Sequence, residues 1–435
     1  MKVAFATLGC RVNQYESEAM AEKFIREGYE VVDFDQFSDV YVINTCTVTN
    51  MGDKKSRQII SRARRTNPEA IIAAVGCYSQ MSPKEVSEIP GVDVVLGTRN
   101  KGDVVYYVNK AKDEGKSQVH VQGVLQNKVF EDLKIEDYQD KTRAFLKIQD
   151  GCNRFCTYCT IPYARGSVCS KDPNKVLSEV RELAKNGFKE VILSGIHTAS
   201  YGLDLEGNVN LISIIEEIEK IDGIERIRIG SIEPAFFTPE VIEKIKSFKK
   251  LCPHFHLSLQ SGCDATLKRM NRRYTAKEYE DSVNLLRETL PDVSISTDVI
   301  VGFPGETEEE FEETLSLCEE VRYDSAFTFL YSVRKGTPAA EYTNQIPEDI
   351  KHQRFNRLVD VINRISAEKN AEYVGIVEKV LVDGPSKTNS RTYGGRTETF
   401  KLVNFRGSPE MIGKIVDVRI TASNTFSLEG EVVSE

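Results

Sequence analysis

The stretch GCNRFCTYC at residues 151–159 places Cys152, Cys156 and Cys159 at the spacing C-x3-C-x2-C. Random placement of the ten cysteines would give this spacing only roughly 0.005 times in a chain of this length. A closed zinc site uses four protein ligands, and no fourth cysteine stands close by, although Cys169 could be nominated. Three thiolates on a four-iron cluster leave one iron free to bind a substrate. The spacing therefore predicts an open, catalytic iron–sulfur site.

This triplet stands near the start of a series of strands and helices over residues 142–345. Six segments are predicted as strands, with helical patterns between them: AFLKIQ, EVILSGI, RIRIGSI, HFHLSL, VSISTDVIV and AFTFLYS. The series predicts a partial (β/α)6 barrel whose site lies at the carboxyl ends of its strands. With a helix predicted at Pro347–Glu372, this central domain covers residues 142–372. The triplet follows the first strand, so its cluster is expected at the mouth of the barrel.

Residues 1–114 predict a separate α/β domain with a parallel sheet, because apolar strands alternate with amphipathic helices. Three of its strands, KVAFATLGC, DVYVINTC and AIIAAVGC, end at Cys10, Cys46 and Cys77. The carboxyl ends of parallel strands share one edge of a sheet, so these thiols are expected to converge. The alternative is three small residues buried at strand ends. Residues 115–141 are charged and irregular and are predicted to be a linker.

Residues 373–435 change to alternating strands broken by Gly, Ser and Asn, which predicts a small antiparallel β-barrel. The sequence contains three basic runs that could meet RNA phosphates: Lys54, Lys55, Arg57, Arg62, Arg64 and Arg65; Lys268, Arg269, Arg272 and Arg273; and Lys387, Arg391, Arg396, Lys401 and Arg406. Tyr393 and Phe400 lie within the last run, a mixture that suits RNA contact. The alternative for each run is an ordinary solvated face.

The bulk composition places limits on the function. The chain has 435 residues, a net charge of −9 and 28% charged residues, which argues against binding nucleic acid by bulk attraction but permits a local basic patch. We expect a cytoplasmic protein that binds no membrane, because no apolar run approaches a membrane span and no signal-peptide pattern is present. We also expect no binding to DNA. Ten cysteines in a reducing compartment favour metal binding or catalysis over disulfides.

The spacing C-x3-C-x-aromatic-C, with Tyr158 as the aromatic residue, is the signature of radical S-adenosylmethionine enzymes. Further motifs across nearly the whole chain resemble the radical methylthiotransferase family: TLGCRVNQYE, NTCTV, AVGCYSQ, GCNRFCTYCTIPYARG, SGIHTASYG, GSIEP, HLSLQSGCDATLKRMNRRYT and TDVIVGFPGET. The C-terminal barrel resembles the TRAM domain, an RNA-binding module. The resemblance implies S-adenosylmethionine and two [4Fe–4S] clusters, the second held by Cys10, Cys46 and Cys77. The clusters would carry the chemistry, so no side chain is given a catalytic role.

The resemblance also implies the residues around S-adenosylmethionine. They are Tyr158, Ser194, Gly195, Glu233, Gln260 and Asp298. His197 either touches substrate or is a packed histidine, and the turn Gly302–Gly305 is expected to approach the cofactor closely. Three features depart from the family pattern and concern the loop after the triplet, namely Thr160, Cys169 and Lys171.

The stretch Gly9–Glu16, GCRVNQYE, resembles the branch that acts on N6-threonylcarbamoyladenosine (t6A), whereas the related branches tend to show GCQMN or GCPKN. The implied reaction methylthiolates C2 of t6A at position 37 in the anticodon loop of tRNA, with an electron donor and a sulfur source as further partners. The alternatives are N6-isopentenyladenosine-37, a ribosomal-protein side chain, or a non-catalytic metal- and RNA-binding protein.

Overall fold

The structure is a computed structural model that describes residues 1–47, 50–125, 128–135, 142–386, 389 and 391–433. The side chains of residues 50 and 51 are not described. Lys387 and the end of the predicted linker, residues 136–141, lie outside the described residues.

The N-terminal domain is a parallel sheet with helices on both faces. Its elements are β1 (Lys2–Thr7), α1 (Arg11–Arg26), β2 (Glu30–Val32), β3 (Val40–Thr45), α2 (Asn50–Thr66), β4 (Ile71–Gly76), α3 (Cys77–Met81), α4 (Pro83–Ser87), β5 (Val94–Leu96), α5 (Val104–Glu114) and β6 (Gln118–His120). The strand order is β2-β1-β3-β4-β5-β6, and every neighbouring pair is parallel. The predicted parallel-sheet domain is confirmed.

The sheet extends beyond the predicted strands at both edges. The short strand β2 pairs with β1, and β6 pairs with β5 at Val94–Gln118. Since β6 falls within residues 115–141, the first part of the predicted linker belongs to the sheet. β3 is buried along its whole length, because apolar clusters lie on both faces of the sheet.

The central domain is a curved series of parallel strands with helices outside. Its elements are β7 (Arg143–Lys147), β8 (Gln149–Asp150), α6 (Ile161–Arg165), β9 (Cys169–Ser170), α7 (Pro173–Lys185), β10 (Glu190–Ser194), α8 (Leu211–Glu219), β11 (Arg226–Ile229), α9 (Pro239–Ser247), β12 (His254–His256), α10 (Asp264–Arg269), α11 (Ala276–Thr289), β13 (Ser294–Val301), α12 (Glu308–Val321), β14 (Ser325–Leu330) and α13 (Glu348–Ala371).

The six predicted strands of this domain form two parallel sheets, β7-β10-β11 and β12-β13-β14. Isolated parallel bridges at Ile227–Leu251 and Ile232–Leu257 join the two sheets, so the partial barrel is confirmed. One apolar core runs through the barrel, and Tyr15 of α1 belongs to it. The N-terminal domain thus packs into the core of the barrel.

The C-terminal domain is a closed barrel of five strands. They are β15 (Val377–Pro385), β16 (Thr392–Arg396), β17 (Leu402–Arg406), β18 (Ile415–Ser423) and β19 (Leu428–Val432). The prediction of a small barrel is confirmed, with one correction to its antiparallel pairing. β17 and β19 pair in parallel, because strands that alternate in direction cannot close a ring with an odd number of members.

Hydrogen bonds from Arg228 of β11 hold the small barrel against the central domain. Arg228 donates hydrogen bonds to the carbonyls of Thr397 and Glu398 at 2.6 and 2.7 Å. Lys401 is 8% exposed, and its Nζ lies 2.8 Å from Asp324 Oδ1 in the central domain. Lys401 is thus used within the chain, and its contact with RNA stays a prediction. Among the described residues, no helix is long and apolar enough to cross a membrane.

Acidification should weaken this junction through His254, whose ring stacks on Phe400 with centroids 4.9 Å apart. Burial, assisted by the charge of Arg228, lowers the pKa of His254 to about 3. The unfolded chain takes up a proton at this site below about pH 6.5 and the folded chain does not, so stability falls as pH falls. We expect His254 to account for a loss of about 1–2 kcal/mol between pH 7 and pH 5.

Urea unfolding at the two pH values measures this loss. His254→Phe keeps an aromatic ring against Phe400 and removes the titration, so its loss of stability should be smaller than that of the wild type by this amount. His352→Phe, at an exposed histidine of α13, should leave the pH dependence unchanged. Equal pH dependence in the wild type and His254→Phe would contradict the assignment.

Candidate functional site

The three cysteines of the N-terminal domain follow three adjacent strands of its sheet. Cys10 comes after β1, Cys46 after β3 and Cys77 after β4, and these strands are neighbours in the sheet. All three cysteines therefore lie at one edge, as parallel strands require. Burial raises the pKa of the Cys77 thiol, and the nearby Cys10 raises it further.

Two glycines allow neighbouring backbone segments to approach each other closely at this edge of the sheet. Gly9 has φ +96°, and a Cβ on it would lie 2.7 Å from Cys46 Sγ. Gly76 has φ +99°, and a Cβ there would lie 2.5 Å from Asn44 Oδ1. Any larger residue would meet both a strained backbone and a steric clash at these positions. The glycine before Cys10 therefore lets the first and second cysteine segments approach each other.

The second triplet lies on the loop between β8 and α6. The loop is fixed by backbone hydrogen bonds, from Cys152 N to Gly166 O and from Thr157 N to Met270 O, each 3.0 Å long. Burial raises the pKa of Cys152 to about 11 and that of Cys159 to about 12. Since iron binds the thiolate and not the thiol, cluster assembly at this loop would release protons.

A cluster of charged side chains surrounds this loop. Glu233 Oε2 lies 2.7 Å from Arg154 Nη2 and 3.2 Å from His197 Nε2, and Glu233 Oε1 lies 3.4 Å from Arg272 Nη2. Burial opposes the ionisation of Glu233, but the hydrogen bond from His197 and the two arginines outweigh it and lower its pKa to about 2. Arg272 also donates to Cys156 Sγ at 3.4 Å. Arg272 thus places positive charge where a thiolate is needed.

Two adjoining cavities lie between Cys10 and the loop of the second triplet. The larger, of about 780 Å³, is lined by Cys10 and its neighbours in the N-terminal domain and by Asp298, Phe327 and Phe329 of the barrel. The smaller, of about 250 Å³, is lined by Tyr158 of the second triplet and again by Asp298 and Phe329. The two domains therefore enclose a common space, with a cysteine triplet or its loop on each side.

The six residues predicted around S-adenosylmethionine divide into two groups. Tyr158, Gln260 and Asp298 line the smaller cavity together. Ser194 ends β10 and Gly195 follows it, both outside that lining, and Glu233 belongs to the charged cluster described above. Gln260 holds a left-handed backbone, φ +70°, a conformation that non-glycine residues adopt at a cost and often at functional sites.

Arg154 and Arg272 were not predicted at the site, although both lie within motifs that the sequence displays, CNRFC and NRRYT. The available signal was a basic residue inside the cysteine motif for Arg154 and inside the second basic run for Arg272. The motif shows the residue type but not the partner, and the partner Glu233 is 79 and 39 residues away from them in sequence.

The cysteines suit iron–sulfur ligation in their chemistry. None of the ten cysteines, all of which lie in the described ranges, forms a disulfide, and each triplet offers three thiols beside arginine or lysine charges. Among the described residues, no three His, Cys, Asp or Glu side chains are grouped so as to hold a metal ion. The fit therefore rests on donor type and on placement at the two cavity walls.

Three models of known protein families match the chain, one in each of its three domains. The family models "Uncharacterized protein family UPF0004", "Radical SAM superfamily" and "TRAM domain" match residues 2–97, 146–318 and 371–433. The chain is 43% identical over 434 residues to the "Threonylcarbamoyladenosine tRNA methylthiotransferase MtaB" of Bacillus subtilis, which covers 99% of this chain and 96% of that protein. The chain belongs to the radical S-adenosylmethionine methylthiotransferase family. A [4Fe–4S] cluster and S-adenosylmethionine follow from this membership.

The names of other similar proteins state a different substrate. The "tRNA-2-methylthio-N(6)-dimethylallyladenosine synthase" of Clostridium botulinum is 44% identical over 433 residues, covering 98% of this chain and 96% of that protein. Among solved structures, the radical S-adenosylmethionine methyltransferase TsrM from Kitasatospora setae matches with a TM-score of 0.59 at 16% identity, covering 78% of this chain and 77% of that one. This last similarity supports the fold alone.

A buried ion network joins the N-terminal and central domains of this methylthiotransferase. Glu16 of α1 lies 2.7 Å from Lys147 Nζ and 2.9 Å from Arg165 Nη1, and it also pairs with Lys101. Asp150 lies 2.7 Å from Lys147 and 3.1 Å from Arg165. All five side chains are 0% exposed. The network fixes α1, which begins beside Cys10, against the helix that follows Cys159.

Cys169 and Lys171, two of the departures from the family pattern, have partners in the methylthiotransferase fold. Arg99 Nη1 donates to Cys169 Sγ at 2.6 Å, and Lys171 is buried against Glu179 and 3.3 Å from Asp132. Cys169 therefore contacts the N-terminal domain, and Lys171 contacts α7 and Asp132.

The residues predicted to contact RNA are only partly available. On α2, all of the predicted residues except Arg64 are exposed. Arg57 and Arg62 form surface ion pairs with Glu85 and Asp35, and the partly buried Arg64 pairs with Asp93. In the third basic run, Arg391 is exposed and Arg396 is partly buried. Arg269 and Arg272 of the second run face Glu310 and Glu233 within the protein.

Proposed function

We propose that this chain transfers a methylthio group to C2 of t6A at position 37 in the anticodon loop of tRNA, in the cytoplasm. The observation that carries the proposal is the pair of adjoining cavities, which share Asp298 and Phe329. Cys10 lines one of them, and Tyr158 in the loop of the second triplet lines the other. Such an arrangement gives a carbon atom on a base access to both centres. The relative from Bacillus subtilis, whose name states this substrate, supports the same reaction.

Cys10, Cys46 and Cys77 would hold a second [4Fe–4S] cluster, in addition to the one on Cys152, Cys156 and Cys159. When bound, the two clusters and S-adenosylmethionine would supply the radical and the methylthio sulfur. The chain's part is to position them and to exclude water.

The walls of the smaller cavity favour binding of S-adenosylmethionine beside the second triplet. Tyr158, Gln260 and Asp298 face it, and the cavity adjoins the loop that carries Cys156. Arg272 would stabilise the Cys156 thiolate through its 3.4 Å contact. Ser194, Gly195 and Glu233 would support the cofactor from the neighbouring strand ends.

The larger cavity offers surfaces for an unpaired base. Phe327 and Phe329 line it and are 60% and 43% exposed. Exposed aromatic rings bind splayed bases of single-stranded RNA by stacking, which is how an anticodon-loop base would reach a pocket. The exposed residues Lys54, Lys55, Arg65 and Arg391 would meet phosphates farther out.

The second candidate substrate is N6-dimethylallyladenosine, which the relatives from Clostridium botulinum name at 44% identity. Mass spectrometry of tRNA nucleosides from a deletion strain separates the two. We expect 2-methylthio-t6A to disappear and t6A to accumulate, with 2-methylthio-N6-dimethylallyladenosine unchanged. Loss of the latter compound instead would assign the second substrate, and loss of neither would refute the proposed function.

A further inference from the structure

A pocket of about 270 Å³ lies where all three domains meet. It is lined by Arg11, Thr142, Arg143, Phe145, Asp383, Arg396 and Phe400. Arg11 comes from the N-terminal domain, Arg143 from the barrel and Arg396 from the C-terminal domain. The pocket therefore exists only when the three domains are assembled.

Positive charge in this pocket exceeds negative charge. Its lining holds three arginines and one carboxylate. Asp383 is already engaged, because its Oδ2 lies 2.5 Å from Arg143 Nη2 and its Oδ1 accepts from Thr142 at 3.0 Å. Among the described residues, neither Arg11 nor Arg396 has a carboxylate within ion-pair distance. The pocket thus presents two guanidinium groups without a counter-ion from the described part of the chain.

The electrostatic cost of this arrangement is visible at Arg396. Burial lowers its pKa to about 10, and the charges of Arg143, Arg228 and Arg11 add to the effect despite the attraction of Asp383. Its Nε is buried and has no hydrogen-bond partner within the part of the chain that the structure describes. Because the charged guanidinium of Arg396 is destabilised in this way, an anion that enters the pocket would stabilise it strongly.

The two guanidinium groups are held in place by aromatic rings. Arg11 lies over Phe145 at 4.8 Å from its centroid, and Arg396 lies over Phe400 at 4.7 Å. Arg396 Nη1 also donates to the Phe400 carbonyl at 3.0 Å. Stacked arginine side chains lose little conformational entropy when they bind an oxyanion. Their planar guanidinium groups can donate paired hydrogen bonds to phosphate or carboxylate oxygens.

The pocket is contiguous with the proposed active site. Arg11 lines both this pocket and the larger cavity, and it directly follows Cys10. An RNA whose base occupies the larger cavity would therefore bring its neighbouring groups to the arginines.

We propose that Arg11 and Arg396 form an oxyanion subsite for the RNA substrate, which takes either a backbone phosphate next to the modified base or the carboxylate of the threonyl group on that base. This inference rests on the proposed function. It assigns a binding role to a junction of three domains.

Binding of fluorescent anticodon stem-loop RNAs tests the subsite. The three RNAs carry adenosine, t6A or N6-dimethylallyladenosine at position 37, and Kd is measured at several salt concentrations. We expect Arg11→Gln and Arg396→Gln each to raise Kd about 10-fold, the usual size for loss of one charge-assisted contact. Arg419→Gln, at an exposed arginine of the same small barrel, should change Kd less than about 2-fold.

The pattern among the RNAs identifies the oxyanion. Equal weakening for all three, with the salt dependence reduced by about 0.7 per contact, indicates a phosphate. Weakening confined to the t6A RNA indicates the carboxylate. Unchanged Kd for every RNA in both variants overturns the inference, and because the variants lie in different domains, misfolding of one leaves the other to decide.

The nucleoside analysis of the deletion strain is independent of this measurement. Failure to lose 2-methylthio-t6A, together with weakened RNA binding by the variants, would refute the proposed function and leave the subsite standing. Loss of 2-methylthio-t6A from the deletion strain, together with unchanged RNA binding by both variants, would refute the subsite alone.

Discussion

Replacement of Cys10, Cys46 and Cys77 by alanine should give a protein that binds about four irons instead of about eight and transfers no methylthio group. The three cysteines share one edge of the N-terminal sheet, so their loss removes one cluster site. The loop that carries the other triplet is held by its own hydrogen bonds to Gly166 and Met270. The variant should therefore still form 5′-deoxyadenosine from S-adenosylmethionine under a strong reductant.

The reciprocal variant, with Cys152, Cys156 and Cys159 replaced by alanine, should also bind about four irons but form no 5′-deoxyadenosine. Iron content and the absorption spectrum after anaerobic reconstitution measure the clusters, and liquid chromatography measures the product. Cys318→Ala serves as a control, because this buried cysteine lies in the barrel core away from both triplets. Loss of all iron in the first variant, or zinc in place of iron in the wild type, would contradict two independent clusters.

The sequence predicted those features of the fold that depend on neighbours in the chain. Apolar β-branched runs identified the strands, and Cys10, Cys46 and Cys77 were correctly expected at one sheet edge because strand direction fixes their position. Tyr158, Gln260 and Asp298 line one cavity, and their contact with S-adenosylmethionine stays a prediction. In each case the local pattern determines where the residue must lie.

Charged residues were harder to place, because their partners lie far along the chain. Lys401 stands in a basic run, yet it pairs with Asp324 across the domain junction. Glu16 occurs on an amphipathic helix where a solvated carboxylate would be ordinary, and its partner Arg165 is 149 residues away. Whether a charge faces RNA, water or a buried ion is decided by tertiary packing, which local periodicity does not report.

Glu16→Gln should lower the free energy of unfolding by about 3–5 kcal/mol, because removal of one partner leaves buried charges unpaired. Lys147 and Arg165 would keep Asp150, at 2.7 and 3.1 Å, whereas Lys101 would lose the carboxylate that it pairs with in this network. Urea unfolding measures the loss. Glu27→Gln, at an exposed glutamate that ends the same helix, should cost less than about 0.5 kcal/mol.

The pH dependence of the same variant distinguishes an ion network from simple packing. Burial opposes the ionisation of Glu16, but Arg165, Lys101 and Lys147 outweigh it and hold its pKa well below the ordinary value of 4.5. The unfolded chain protonates this carboxylate first as pH falls, so the network's contribution is present above about pH 4.5 and is lost on acidification. Glu16→Gln should therefore lose less stability than the wild type below that pH. A variant that is destabilised equally at every pH would show that Glu16 acts by shape alone, and the domains would then be held together by the apolar contacts of α1 with the barrel core.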